Sequence, residues 1–322
     1  MLKIFALRAS LILVGFTAAA RGDVTLLLEE PYGNFGGMNP TGHAAVYFPR
    51  ICAASPAVLR RCRPGETGAV ISRYHRVGGY DWLAIPLVPY LYAVEQREDI
   101  PTSATREEVA SLRDGYRRRH LEDVVPDAAD GATPEGDWTQ LVGEAYDRTL
   151  YGFTIETTEQ QDDALIERLN SAPNQVRFHL LFRNCADFVR NVIDYYYPRA
   201  VHRSFTTDVG IMTPKQAAKS LVHYSRKHPD LEFSTFIIPQ VAGDTPRSSP
   251  VKGVLESLIK SKKYAVPVVA LAAFHPYVGA PLVIACLHGS GFDPEKVAKE
   301  DEGPGMRSSI MTRAQQAGRE DR

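Results

Sequence analysis

A chain of 322 residues has room for one large domain with an appendage. Its 37 Lys and Arg balance 38 Asp and Glu to a formal net charge of −1, which removes any electrostatic case for a nucleic-acid partner. At 44% hydrophobic and 23% charged residues, the composition also excludes a fibrous or wholly disordered chain.

The first twenty residues have the three parts of an export signal. Lys3 and Arg8 supply positive charge, an apolar run follows, and Ala18-Ala19-Ala20 forms a small-residue cleavage site. The apolar run is about twelve residues, short of the roughly twenty that cross a bilayer. Cleavage after Ala20 is the expectation and a retained anchor the alternative; either places the chain in the periplasm or cell envelope. Residues 24–29 read as a strand, and a Gly- and Asn-rich loop leads from Tyr32 into a second strand, 42–48, closed by Pro49. Cys52 and Cys62 flank a short loop, and in an oxidising compartment they are expected to pair. Residues 68–76 read as a further strand and 80–86 as a short one.

Residues 105–120 form a polar helix ending in Arg117-Arg118-Arg119. That run is either a surface for anionic lipid or glycan, or a solvated helix end that complements the dipole. The segment 127–137 is a Pro/Gly/Asp loop, and 151–157 alternates as a strand. Thr158 followed by Gln161 is a capping-box pattern opening a helix over 159–169. After the apolar run 178–182, Asn184-Cys185 opens a second helix, whose Phe188, Val189, Val192 and Ile193 keep helical spacing until Pro198. Thr213-Pro214 starts a third, to about Tyr224, and 232–239 alternates as a strand.

Residues 265–287, about 23 of them and largely apolar, are long enough to span a membrane. Pro267, His275, Pro276 and Pro281 interrupt them, and Lys260, Lys262 and Lys263 precede them, so an anchor and a buried or peripheral segment both stand. Cys286 lies within this run. The charged, glycine-containing tail beyond Gly289 reads as disordered. The expected organisation is a signal peptide over 1–20, a catalytic domain over 21–240 and a C-terminal region over 241–322.

Two places carry chemistry: His43 at a strand start and Cys185 at a helix start. Helix N-terminal amides stabilise a thiolate and lower the thiol pKa. An imidazole within reach completes a pair able to attack a carbonyl, and backbone N–H groups beside the cysteine can bind the oxyanion. Each residue alone has a bland reading, Cys185 as a small buried hydrophobe and His43 as structural. No His-x₃-His or Cys-x₂-Cys spacing is present, so neither a metal nor another cofactor is expected.

Three segments, GHAAVYF (42–48), LYGFTIETTEQQDDALIERLN (150–170) and FHLLFRNCADFVRNVID (178–194), resemble the periplasmic domain of the bacterial Lnb-type lipoprotein N-acyltransferases. The resemblance covers about half the chain; more distantly, the segments are similar to permuted NlpC-type peptidases and the lecithin:retinol acyltransferase group. It implies an α+β fold with a circularly permuted papain-like (NlpC-like) core, in which an antiparallel sheet faces a helix carrying the cysteine. Carried onto this chain it makes Cys185 the nucleophile and His43 the base. His75, with Asp81 behind it, is the candidate for orienting the imidazole, the alternative for either being a plain surface residue, and Asn184 either caps the helix or donates to the oxyanion. Two insertions, one around Cys52 to Cys62 and one around 102–137, depart from the family pattern and leave the substrate open.

The reading is an exported enzyme that forms a thioester on Cys185, its partner substrate a phospholipid or lipoprotein. Ala44, Val46 and Phe48, with Phe188, Tyr195 and Tyr196, either line an acyl-accommodating groove or are simply core. The rivals are a cell-wall amide hydrolase acting on peptidoglycan and a non-catalytic envelope binding domain.

Overall fold

The computed structural model describes residues 21–33, 41–75, 77–175, 178–254, 256–257 and 291–300. The signal segment 1–20 and the apolar run 265–287, with Cys286, lie outside the described residues.

Strand β1 (Arg21–Glu29) buries Val24, Leu26, Leu27 and Leu28 completely, odd and even positions alike. A strand apolar on both faces belongs at the centre of a sheet covered on both sides. β1 accordingly pairs with β2 (His43–Phe48) on one edge and β8 (Leu150–Thr158) on the other. Beyond β2 come β5 (Ala69–Ser72) and β6 (Leu83–Pro86), and beyond β8 comes β9 (Phe233–Ile238), giving a six-stranded sheet in the order β6-β5-β2-β1-β8-β9. Every pairing in it is antiparallel. The architecture is α+β with an antiparallel sheet, as the resemblance implies.

Alternation sorts the strand residues into two layers. Val24, Leu26, Leu28, Ala44, Val46 and Phe48 face one layer, built from α4 (Glu159–Ser171), α5 (Cys185–Tyr196), α7 (Pro214–Lys227) and α8 (Pro294–Glu300). Leu27, Ala45, Tyr47 and Val70 face the other, which holds α1 (Leu87–Tyr92) and the buried Tyr116 of α2 (Arg106–His120). Ala44, Val46, Phe48, Phe188 and Tyr196 are therefore core, and the reading of them as walls of an acyl groove gives way to packing.

Several local expectations are refined. The strand at 68–76 stops at Ser72, because beyond it Arg73 turns to bond Asp81 and the Asn184 carbonyl. The cysteine loop is a hairpin of β3 (Ile51–Ser55) and β4 (Val58–Arg61), and a Cys52–Cys62 disulfide, with Cα atoms 4.9 Å apart, closes it. The arginine run lies in the last turn of α2, as the dipole reading has it, with its guanidiniums taken up in ion pairs. Arg117 is wholly buried and bonds Asp114, Asp127 and the Val125 carbonyl; Arg118 pairs with the same two carboxylates and Arg119 with Glu95.

The expected disorder after Gly289 is corrected for residues 291–300, while residues 301–322 lie outside the described residues. Residues 294–300 form α8, whose Val297 and Ala298 are buried in the core while Phe292 rests against Phe153. Two more segments beyond 240 join the same body. β10 (Ala242–Gly243) pairs in parallel with β7 (Ser103–Ala104), and Ser248 donates to Glu30 at 2.6 Å. Among the described residues no helix is long and apolar enough to cross a membrane.

Candidate functional site at the start of helix α5

Helix α5 begins with a reciprocal cap. Asn184 Oδ1 accepts from the Asp187 N–H at 3.0 Å, and the Asp187 carboxylate accepts from the Asn184 N–H at 3.3 Å. The amide nitrogen of Asn184 donates to the carbonyls of Leu180 and Met212, both at 2.9 Å. Both ends of this side chain are thus committed to structure, which assigns Asn184 to capping rather than to an oxyanion. Arg73 braces the same turn from the sheet side. It reaches the Asn184 carbonyl at 3.4 Å, pairs with Asp81 at 2.6 Å and lies over the Phe188 ring.

The cap leaves Cys185 in the first helical turn, buried, with the backbone N–H groups of Ala44 and Ala186 near enough to favour its thiolate. Ala44 follows His43 in β2, so the fold carries the thiol to the strand residue next to the histidine. No hydrogen bond between the sulfur and the imidazole is among the contacts of either residue. Gly42 lets the strand begin there. It has φ of +74°, and a Cβ would lie 2.1 Å from the Glu29 carbonyl oxygen.

His43 is buried and stacks on Tyr74, ring centroids 5.2 Å apart. Its Nε2 lies 2.9 Å from Ser72 Oγ, which donates to the Ala44 carbonyl at 2.7 Å. A serine hydroxyl has one proton, and that proton is committed to Ala44. With the hydroxyl proton on Ala44, Nε2 is the protonated nitrogen, donating to Oγ, and Nδ1 keeps its lone pair. Ser72 thus occupies the orienting place expected of His75. His75 instead sits half-exposed beyond the end of β5, with Nδ1 3.3 Å from Asp137 and its ring against Phe178. Asp81 likewise serves Arg73, not a histidine.

Beneath His43 lies a buried ionic cluster that the sequence reading did not single out. Glu29 faces His43 across the β1–β2 pairing and accepts from Tyr90 Oη. Arg148 stands between Glu29 at 3.3 Å and Glu144, on α3 (Glu144–Asp147), at 2.7 Å. Burial pushes both carboxyl pKa values up, against the pull of Arg148. The only trace in sequence is a Glu-x₃-Arg spacing (144 to 148), which many surface helices share.

The electrostatics run against a resting ion pair. Burial first, and then the Arg148 charge, lower the His43 pKa from 6.5 to about 3. Burial raises that of Cys185 from 9.0 to about 11, outweighing the backbone N–H groups that favour the thiolate. At neutral pH the site holds a thiol and a neutral imidazole, a correction to the lowered thiol pKa expected from the helix start. Among the described residues one group has metal-ligand proximity, Cys52, Cys62 and Glu66, but both sulfurs are spent in the disulfide.

No family model and no curated protein matches the chain. Among solved structures, the type VI secretion system effector TseH is similar at 13% identity and a TM-score of 0.29, over 66% of this chain and 98% of that one. A likeness at this level carries no functional argument.

Proposed function

We propose that this protein is an exported cysteine acyl-transfer enzyme with a circularly permuted papain-like core, related to the Lnb-type domains. Cys185 is its nucleophile and His43 its base, with Ser72 positioning the imidazole. The observation that carries the reading is the Ser72 bond. It leaves Nδ1 as the basic nitrogen of a residue whose chain neighbour, Ala44, lies near enough for its N–H to favour the thiolate. The buried neutral pair supports general-base attack, in which deprotonation and bond formation go together, rather than attack by a standing thiolate.

In the proposed cycle Nδ1 accepts the Sγ proton as sulfur adds to an ester or amide carbonyl, and the oxyanion forms near the first-turn N–H groups of α5. Collapse breaks the carbonyl bond to the leaving alcohol or amine, which departs with the proton from Nδ1. A thioester remains on Cys185. An acceptor amine or water then adds to it, its proton passing through Nδ1 to the released sulfur, so that thiol and neutral imidazole are restored.

The test is intact-mass analysis after incubation with phospholipid plus a diacyl lipopeptide amine, or with a muropeptide. An acyl adduct on Cys185, absent in Cys185→Ala and His43→Ala, is expected. N-acylated lipopeptide marks a transferase and free fatty acid a hydrolase. Cleaved muropeptide without lipid turnover replaces the lipid reading with the peptidase. No adduct and no turnover of any substrate leaves a binding domain. As a positioning residue, Ser72 is expected to support kcat, lost about tenfold or more in Ser72→Ala, with KM little changed and partial rescue in Ser72→Thr.

A further inference from the structure

The surface beside the start of α5 carries apolar side chains that the core leaves out. Leu180, Leu181 and Phe182 are 62%, 40% and 60% exposed; Phe205 on α6 (Phe205–Asp208) and the adjoining Val209 are 79% and 55% exposed. Among the described residues only Val58 joins them as an exposed large hydrophobic, so the exposure is concentrated in these two segments. The segments are tied together. Asn184 bonds the Leu180 and Met212 carbonyls; Arg203 lies over the Phe182 ring and donates to the Gly210 carbonyl at 2.7 Å, and the Phe205 ring packs on Gly210.

Phe205 also lines a groove of about 680 Å³ together with His202, Arg203, Lys219, His223 and Arg226, and among the described residues that line it none is a carboxylate. Arg203 is paired with Asp187, and Arg226 stands 3.8 Å from Glu300 with both side chains largely exposed. Among the described residues Lys219 makes no ion pair, although on its other side it shares a small cavity with Asp208 and Glu256. Ser204 and Thr206 add hydroxyls to the groove that suit a phosphate oxygen, while the Thr207 hydroxyl is spent on Asp208 and Ser204.

We propose that this face docks on a bilayer containing anionic phospholipid, with the five apolar side chains entering the interface and the groove receiving a headgroup phosphate. The pairing of features decides the occupant. A free phosphate leaves Leu180–Phe182 and Val209 without a role, and an apolar protein partner leaves the cationic groove unmatched. A lipid surface satisfies both, since membrane attachment combines buried apolar area with attraction to anionic headgroups. The surface uses neither Cys185 nor His43 and stands whether or not the acyl-transfer reading does. Arg203 pairs with Asp187 in the first turn of α5, so a docked bilayer would lie beside the helix start that bears Cys185.

The test is vesicle flotation of the full chain carrying Cys185→Ala, which separates docking from turnover. Vesicles of phosphatidylcholine are compared with and without about one third phosphatidylglycerol. Binding is expected to need the anionic lipid, to fall with rising salt and to resist millimolar inorganic phosphate. Two variant pairs, Phe182→Asp with Phe205→Asp and Lys219→Glu with Arg226→Glu, are each expected to weaken it about tenfold or more, with unchanged melting temperatures. Undiminished binding in both pairs would place the membrane contact elsewhere in the chain and overturn the proposal. So would failure to bind anionic vesicles, or full competition by free phosphate. A lost vesicle interaction leaves adduct formation on Cys185 to be judged with soluble ester probes, so the two readings fail separately.

Discussion

At Cys185 two effects oppose each other on one sulfur. The first-turn N–H groups favour the thiolate, burial favours the thiol, and burial prevails, with the pKa at about 11. The unliganded protein is therefore expected to alkylate slowly with iodoacetamide at neutral pH, its rate rising only well above the range of a free thiol. An alkylation midpoint below about 8.5 would show that the helix start had won. The same two groups bracket stability. Cys185 has a raised pKa, so its contribution holds at lower pH and is lost as pH rises from 9.0 through about 11. His43 is buried neutral, so its contribution is present above 6.5 and is lost as pH falls from there toward about 3, where only the unfolded chain takes the proton. Melting curves across pH, compared with those of His43→Gln, are expected to show the acid loss reduced in the variant.

Among the helices, the caps were the most legible feature. Thr158 and Gln161 form the capping box their spacing predicts, and α5 begins at the expected Asn184-Cys185 step. Both follow from contacts within three residues, which the local sequence contains in full. The two caps nevertheless differ in weight. Thr158→Ala removes a cap and is expected to cost about 1 kcal/mol. Asn184→Ala removes a cap and also the donor to two carbonyls from separate segments, and is expected to cost about 2–4 kcal/mol. Urea unfolding that returned equal losses would mean that the Leu180 and Met212 bonds contribute nothing. Strand β5 was less legible. Its pattern continues past Ser72, but its pairing ends where Arg73 finds Asp81 and Asn184, partners that are remote in the chain or across a turn.

For the molecule as a whole, the Cys52–Cys62 bridge closes a hairpin whose sequence separation is 10, lying against α4 through Arg61, which bonds Glu159 and Asp163. So short a loop stabilises by about 2–3 kcal/mol. Reduction is expected to lower the melting temperature by roughly 4–12 °C while the Cys185 chemistry survives, because neither sulfur belongs to the site. Loss of adduct formation on reducing this bridge alone would tie the hairpin to the substrate path.

The sequence by itself determined the central strands, the capped helices, the nearness of Cys52 to Cys62, and the placing of Cys185 at a helix start and His43 at a strand start. Each of these rests on periodicity or on contacts a few residues apart. The tertiary structure alone decided that Ser72 rather than His75 meets the imidazole, one step past the Val46–Ile71 pair of β2 and β5. It alone turned the arginine run into ion pairs, with Arg117 wholly buried, and drew residues 294–300 into the core. The reversal of the Cys185 pKa has the same origin. Desolvation and pairing depend on which distant segments close over a side chain, and no local pattern records that.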